Sequence, residues 1–368
     1  MNRYKISESI VFFFKNGNFI LDEYKIHNQK SINTNFIPLL EYLSIWRNEK
    51  DIIHYMNKNS FDTNILKVLV REGIVKKNLE NELPYFKNWG KAVEYYHFNT
   101  KINENEQFEN VYVEQNRIDD INVQQPNIVK NYNSTKIELP EPLINEASKN
   151  LINSLLDRET IRSFDENYIL PLNVFSTILF LSFGGILYAN PNSGSKGIYK
   201  TSPSGGGRSS IETYVIVHNV EGLDSGIYNY NVSEHSLYLI NKGNFKKEAQ
   251  FISGDQVHAK TCNFIVIYTS VLERIAWKYS TFRAYKAVYT DVGHLSQTLY
   301  LLANNYSLGA FYLGAVRDES IEKLLNISID DEAILGISGV GMPISEENYS
   351  GRFIRKDYDY WRDKYEKN

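Results

Sequence analysis

The chain has 368 residues, 42% of them apolar and 23% charged, with 27 Tyr, 19 Phe and a formal net charge of −4. That length allows two domains, or one large domain with an appendage. The net charge argues against bulk nucleic-acid binding, and a single cysteine, Cys262, excludes an intrachain disulfide framework and a thiolate-rich metal site. No window approaches 18 uninterrupted apolar residues, and Ile10-Val-Phe-Phe-Phe14 is too short for a signal segment, so the expectation is a cytoplasmic protein without a membrane partner.

At the amino end, Ile10-Val-Phe-Phe-Phe14 and Phe19-Ile-Leu21 flank Asn16-Gly17, a hairpin signal because a type I′ turn needs two residues with positive φ. Helical spacing follows in Ile37, Leu39, Leu40 and Leu43, then in Ile52, Ile53 and Met56, then in Ile65, Leu66, Leu69 and Val70, with Gly73 as a stop. Two strands and three short helices predict a small winged-helix-like domain over residues 1–83. Its third helix carries only Lys67 and Arg71 against Asp62 and Glu72, too little positive charge for a DNA-reading helix. A module pairing an extended peptide with a sheet edge and a plain packing domain both stay open.

Residues 84–139 read as a linker or flap. Trp89, Tyr95, Tyr96 and His97 form an aromatic knot, and Asn, Gln, Glu and Asp then dominate around isolated Val111 and Val113. No second ligand stands at metal spacing from His97, so no metal is expected. From residue 140 the pattern is that of a core. Pro142 opens a helix with Leu143, Ala147, Leu151 and Leu155 in phase, and Pro171 opens another over 172–183. Between them, Arg158 and Arg162 stand four apart around Thr160, a pattern that suits a phosphate if the backbone is helical or tightly turned.

The loop Thr201-Ser-Pro-Ser-Gly-Gly-Gly-Arg-Ser-Ser210 then feeds the apolar run Ile211-Glu-Thr-Tyr-Val-Ile-Val217. Glycines there let backbone N–H groups approach a planar or anionic ligand. Short strands are expected at 226–230 and 236–240, a central one at 263–268, a long helix through Val292, Leu295, Leu299 and Leu302 to about Asn305 with Gly309 beyond it, and a buried strand at 333–341. The order predicts an α+β domain over 140–368 with a mostly antiparallel sheet packed with helices. It does not show the βαβ alternation or glycine fingerprint of a dinucleotide fold.

Several motifs in register carry a resemblance: Arg158-x-Thr-x-Arg-x-Phe164, Pro203-Ser-Gly-Gly-Gly207 running into Glu212-x-Tyr214, and Gly222-Leu-x-x-Gly226-Ile-Tyr-x-Tyr230. Trp277-Lys-Tyr-x-x-Phe-Arg-Ala-Tyr285, Asp291-Val-Gly-His294 and Leu313-Gly-Ala315 complete the set. Over roughly residues 140–345 the chain resembles the SagB-type dehydrogenases, a branch of the FMN-dependent nitroreductase superfamily. The amino-terminal part is similar, through less specific motifs, to peptide-recognition domains of peptide-modifying enzymes. The resemblance implies a nitroreductase-like homodimer with FMN at the subunit interface, a peptide substrate with a leader, and a cyclodehydratase as a possible further partner. It places Arg158, Thr160 and Arg162 at the phosphate or ribityl end. Pro203, Ser204, Gly205 and Gly206 would line the flavin ring with their N–H groups near N5 or O4, Arg208 would lie near the ring or phosphate, and Leu313, Gly314 and Ala315 on the other side. The family's arginine after the carboxy-terminal Gly-x-Pro is absent here, where Met342-Pro343 is followed by Ile344; Arg208, Arg352 or Arg355 is the expected substitute, unless Arg158 and Arg162 suffice.

The implied activity is oxidation of thiazoline or oxazoline rings in a ribosomally made peptide to aromatic azoles. It removes a ring proton, which needs a base, and a hydride, which flavin N5 takes. Lys278-Tyr279 matches the family's catalytic Lys-Tyr motif. A free tyrosine has a pKa of about 10, and a neighbouring ammonium lowers it by favouring the phenolate. Tyr279 is assigned as base with Lys278 as its electrostatic partner, and the reverse stays open. Because adjacent residues diverge on a regular helix or strand, both reach one substrate only from a helix end or an irregular segment. Two alternatives remain: a flavin-dependent reductase of dehydroamino acids in a lanthipeptide, and a leader-peptide scaffold without catalysis.

Overall fold

The computed structural model describes residues 2–77, 91–99, 125–142, 151–189, 197–279, 283–328 and 332–344. Trp89, Leu143, Ala147, residues 100–124, the side chain of His97, and both Arg352 and Arg355 lie outside the described residues. The chain divides into two compact units, Met1–Phe108 and Glu109–Asn368.

The first unit holds strands β1 (Arg3–Ile6), β2 (Ile10–Lys15), β3 (Asn18–Glu23), β4 (Asn28–Ser31), β5 (Arg47–Asn48) and β6 (Val75–Lys77). They form two three-stranded sheets, ordered β5-β1-β6 and β2-β3-β4. The hairpin turns at Asn16 and Gly17, whose φ angles of 52° and 77° are the positive values a primed turn requires. Helices Ile37–Tyr42, Glu49–Lys58 and Asn64–Arg71 follow the apolar spacing, and their buried faces, Leu39, Ile52, Met56 and Leu66, pack with Leu21 and Val75. β1, β4 and β5 escape a sequence reading because each is four residues or fewer and mostly polar or half-exposed. Within the stretch read as a linker, Lys91–Asn99 is a helix whose Tyr95 sits edge-on to Tyr24.

The second unit is built on a seven-stranded sheet ordered β14-β15-β13-β10-β11-β12-β7, every neighbouring pair antiparallel. Its strands are β7 (Lys136–Glu138), β10 (Ile211–Val217), β11 (Gly226–Asn231), β12 (Ser236–Lys242), β13 (Phe264–Val271), β14 (Gly309–Leu313) and β15 (Glu332–Gly341), while β8 (Leu187–Tyr188) and β9 (Ile198–Tyr199) form a separate ribbon. β7 also falls in the stretch read as a linker. Three residues long and half exposed, it closes the edge beside β12.

Alternation along the strands sends Val215, Val217, Val266 and Tyr268 to one face, against helices Leu172–Phe183 and Ala284–Asn305. Tyr214, Ile216, Ile265 and Ile267 face helices Lys246–Ile252 and Asp318–Leu325. With helices on both faces, β10 and β13 are buried almost throughout, which is why they read as continuous apolar runs. The long helix ends as expected at Asn305, but Ser307, at φ 59°, takes the left-handed turn, and Gly309 instead starts β14. A Cβ at Gly309 would lie 2.6 Å from Ile161, so this glycine is there for close packing. No described helix is long and apolar enough to cross a membrane.

Candidate functional site

The glycine loop enters the sheet at the head of β10 and is held from beneath by side chains of other elements. Ser202 Oγ lies 2.6 Å from Thr298 Oγ1 on the long helix. Two turns earlier on that helix, buried Asp291 takes the Gly205 N–H on both carboxylate oxygens, each at 3.0 Å. Burial raises the pKa of Asp291, and the Gly205 hydrogen bond opposes the shift. The N–H groups of Gly207 and Arg208 turn back to Ser204 and Gly205 carbonyls. Gly206 and Gly207 have φ of 60° and 67°, a conformation only glycine adopts without cost.

Arg208 is buried and folds over its own loop, its Nε donating to the Gly206 carbonyl at 3.0 Å and its guanidinium 5.4 Å from the Trp277 ring. It braces the loop from within. Lys200, which directly precedes the loop, is also buried; burial lowers its pKa to about 8, with Arg274 adding to the fall and the carboxylates of Glu212 and Asp291 resisting it.

Lys278 and Tyr279 follow helix Leu272–Ala276 just after its cap residue Trp277, and both their N–H groups donate to the Ile275 carbonyl. They therefore sit at a helix end, the setting in which adjacent side chains reach one point. A Cβ placed on Gly206 would lie 2.6 Å from Tyr279 Oη and 3.1 Å from Lys278 Cδ. The pair thus meets the glycine loop through the space that glycine leaves open, with Lys278 Nζ 5.4 Å from the centre of the Tyr279 ring. Residues separated by some seventy positions in sequence are brought together here.

The 158–164 segment is extended, not helical. Thr160 bridges in parallel to Ala310, Ile161 N–H donates to the Ala310 carbonyl at 2.9 Å, and Phe164 pairs with Pro343. The two arginines engage different neighbours. Arg158 lies 5.4 Å from the Tyr300 ring, whose hydroxyl is 3.2 Å from Thr160 Oγ1. Arg162 is exposed and helps, after burial, to push the nearby His258 down to about 4. Leu313 ends β14, and Gly314 and Ala315 beyond it are exposed, with the Ala315 carbonyl facing Gly254. Pairing of Ile211 with Ser270, Ser270 with Ala333 and Leu313 with Ile337 puts this turn and the glycine loop at the same end of the sheet, on strands three places apart.

A planar, anionic cofactor fits this loop in part. Ser204, Gly205 and Gly206 stay partly accessible, but the space a Cβ would fill is taken by Ala287 and Ile275 at Gly205 and by Tyr279 at Gly206, and the Gly205 N–H belongs to Asp291, so the loop offers its remaining backbone surface and not that donor. Asp291, Glu212, Arg274 and Lys200 join the site only through the fold. Asp291 and Glu212 fall in the motifs that carry the resemblance, but Arg274 and Lys200 carry no sequence signal of their own.

An antiparallel sheet between helical layers, with a glycine loop feeding a central strand, is the α+β fold of the nitroreductases. The sequence profile of the nitroreductase family matches residues 155–342, and the chain belongs to that family. Family members are oxidoreductases and typically bind FMN. The chain is 30% identical over 173 residues to a protein of Methanocaldococcus jannaschii named as a nitroreductase, covering 47% of this chain and 82% of that one. It is also 30% identical over 132 residues to the trifolitoxin-processing protein TfxB of Rhizobium leguminosarum bv. trifolii, covering 35% of each, so it spans about a third of that relative. Among solved structures, a nitroreductase of Anabaena variabilis superposes with a TM-score of 0.49 at 24% identity, over 61% of this chain and 45% of that one.

Proposed function

We propose that this nitroreductase-family chain is an FMN-dependent dehydrogenase that oxidises a thiazoline or oxazoline ring in a ribosomally made peptide to the azole. The observation that carries the reading is the seating of Tyr279 Oη on Gly206, with the Lys278 ammonium beside the Tyr279 ring. Similarity to a trifolitoxin-processing protein supports a peptide as substrate. When bound, FMN supplies the two-electron acceptor for the hydride, and O2 restores it, giving hydrogen peroxide. Tyr279 takes the ring proton, and the Lys278 ammonium stabilises the phenolate that must be present before it does so. Ser204, Gly205 and Gly206 line the flavin ring, while Arg158 and Thr160 hold the ribityl or phosphate end. Exposed Leu151, Ile152, Leu187, Tyr188 and Tyr289 support a homodimer, which would cover them. The small amino-terminal unit is assigned to the leader of the substrate peptide.

The test is flavin extraction from the purified chain, followed by incubation with an azoline-containing peptide and measurement of a mass loss of two hydrogens. A gain of two hydrogens on a dehydroalanine peptide with a nicotinamide would replace the reading by a reductase, and a colourless protein that takes up no flavin would leave a scaffold. Lys278→Ala and Tyr279→Phe are expected to keep FMN and lose about 10²–10⁴ in turnover, the usual worth of a positioned base. Undiminished turnover in both removes the pair from the mechanism.

A further inference from the structure

Four residues before Lys278, the side chain of Arg274 is almost wholly buried, and it touches three residues on two distant pieces of chain. Its Nη1 lies 2.6 Å from Glu212 Oε1 at the head of β10 and donates to the Ser209 carbonyl at the exit of the glycine loop at 3.0 Å. Its Nε donates at 2.8 Å to the carbonyl of Asn127, in the segment that precedes β7. Glu212 is itself fixed by Asn229 Nδ2 at 3.1 Å. From the same helix, Ile275 sends its side chain under Gly205, and its carbonyl receives the N–H groups of Lys278 and Tyr279. One guanidinium therefore sets the distance between the loop and the turn that carries the Lys-Tyr pair.

We propose that Arg274 is a positioning residue: by clamping Ser209 and Glu212 to helix Leu272–Ala276, it holds Tyr279 Oη on Gly206. The assignment to catalysis rests on the reading of Lys278 and Tyr279 above; the clamp itself does not. A planar fork with several donors is needed, because the contacts diverge from one side chain, and an ammonium meets them poorly. Displacing a catalytic group by about an ångström costs on the order of 10²-fold in rate.

The experiment compares Arg274→Lys with Lys130→Met in the full, flavin-loaded chain. Lys130 anchors the same segment elsewhere, bonding Glu332 and donating to Tyr214 Oη at 2.7 Å, and touches neither the loop nor the Lys-Tyr turn. Arg274→Lys is expected to keep the visible flavin band, to lower kcat about 10- to 100-fold and to change KM less than about threefold. Hydrogen exchange of the 202–210 and 272–279 segments should rise together, about tenfold, while β13 stays protected. Lys130→Met should lower Tm and leave kcat and those two segments as in the wild type. Wild-type kcat with unchanged exchange in Arg274→Lys overturns the proposal, as does an equal fall of kcat in both variants. A wild type that binds flavin but never oxidises azolines sinks the proposed function alone, and the clamp is then judged on hydrogen exchange.

Discussion

The two halves of the candidate site are built by opposite means. The 201–210 loop owes its shape to side chains from elsewhere: Thr298 and Asp291 from the long helix, Arg274 from a short one, Tyr279 from its end. The 158–164 segment is held chiefly by main-chain pairing, to Ala310 at one end and Met342 and Pro343 at the other. A backbone ladder tolerates side-chain change, whereas a loop with three glycines has little regular hydrogen bonding of its own and keeps the shape its neighbours impose. On the proposed function, catalytic precision therefore depends on the loop, and most of the residues that control its shape lie outside it.

Gly206→Ala should produce the largest effect. The new methyl would meet Tyr279 Oη at 2.6 Å in a backbone already at φ 60°, so the tyrosine must rotate away. Stability should fall by only about 1–2 kcal/mol, the cost of a left-handed alanine, while turnover drops as far as in Tyr279→Phe. Steady-state kinetics beside thermal melts would show this, and a variant with normal turnover would mean that Tyr279 works from some other position.

Lys200→Met probes the same half by charge. The buried amine has its pKa lowered to about 8, so the unfolded chain holds this proton to higher pH than the folded one. The cost of burying the charge is complete below about pH 8 and is relieved as pH rises toward the ordinary lysine range. Replacement by methionine should therefore stabilise the protein at pH 7 by about 1–3 kcal/mol, with the gain shrinking from pH 8 to 10. Loss of stability at pH 7 would show instead that the cation is needed between Asp291 and Glu212.

The same contrast explains what was legible in the sequence. Apolar runs such as 211–217 and 264–271 announce themselves because they are buried on both faces, and Asn16-Gly17 does so because its turn type demands it. Glycines in series mark the loop, and the adjacent Lys-Tyr pair marks the turn that meets it. The clamps were not legible. Arg274 looks like any helical arginine until the fold sets it against Ser209 and Asn127, positions 65 and 147 residues away in sequence. The extended form of 158–164 was hidden for the same reason: spacing of two arginines says nothing of the strand they lie against, and Ala310 decides it.

Thr160→Val tests that half and should do least. It removes a hydroxyl 3.2 Å from Tyr300 Oη, a hydrogen bond worth about 0.5–1.5 kcal/mol. Against this, valine is nearly isosteric and suits extended backbone, and the pairing of Ile161 N–H with Ala310 O is untouched. The expected loss is below about 1 kcal/mol, with kcat unchanged and any loss confined to flavin affinity, read by titrating the stripped protein with FMN. The direction of that loss matters as much as its size. Tyr300 also lies beside the Arg158 guanidinium, so freeing its hydroxyl loosens the cation assigned to the phosphate end without touching the loop. A fall in kcat at saturating FMN as large as that of Gly206→Ala would show that the two halves are coupled, and that the segment is set by its side chains after all.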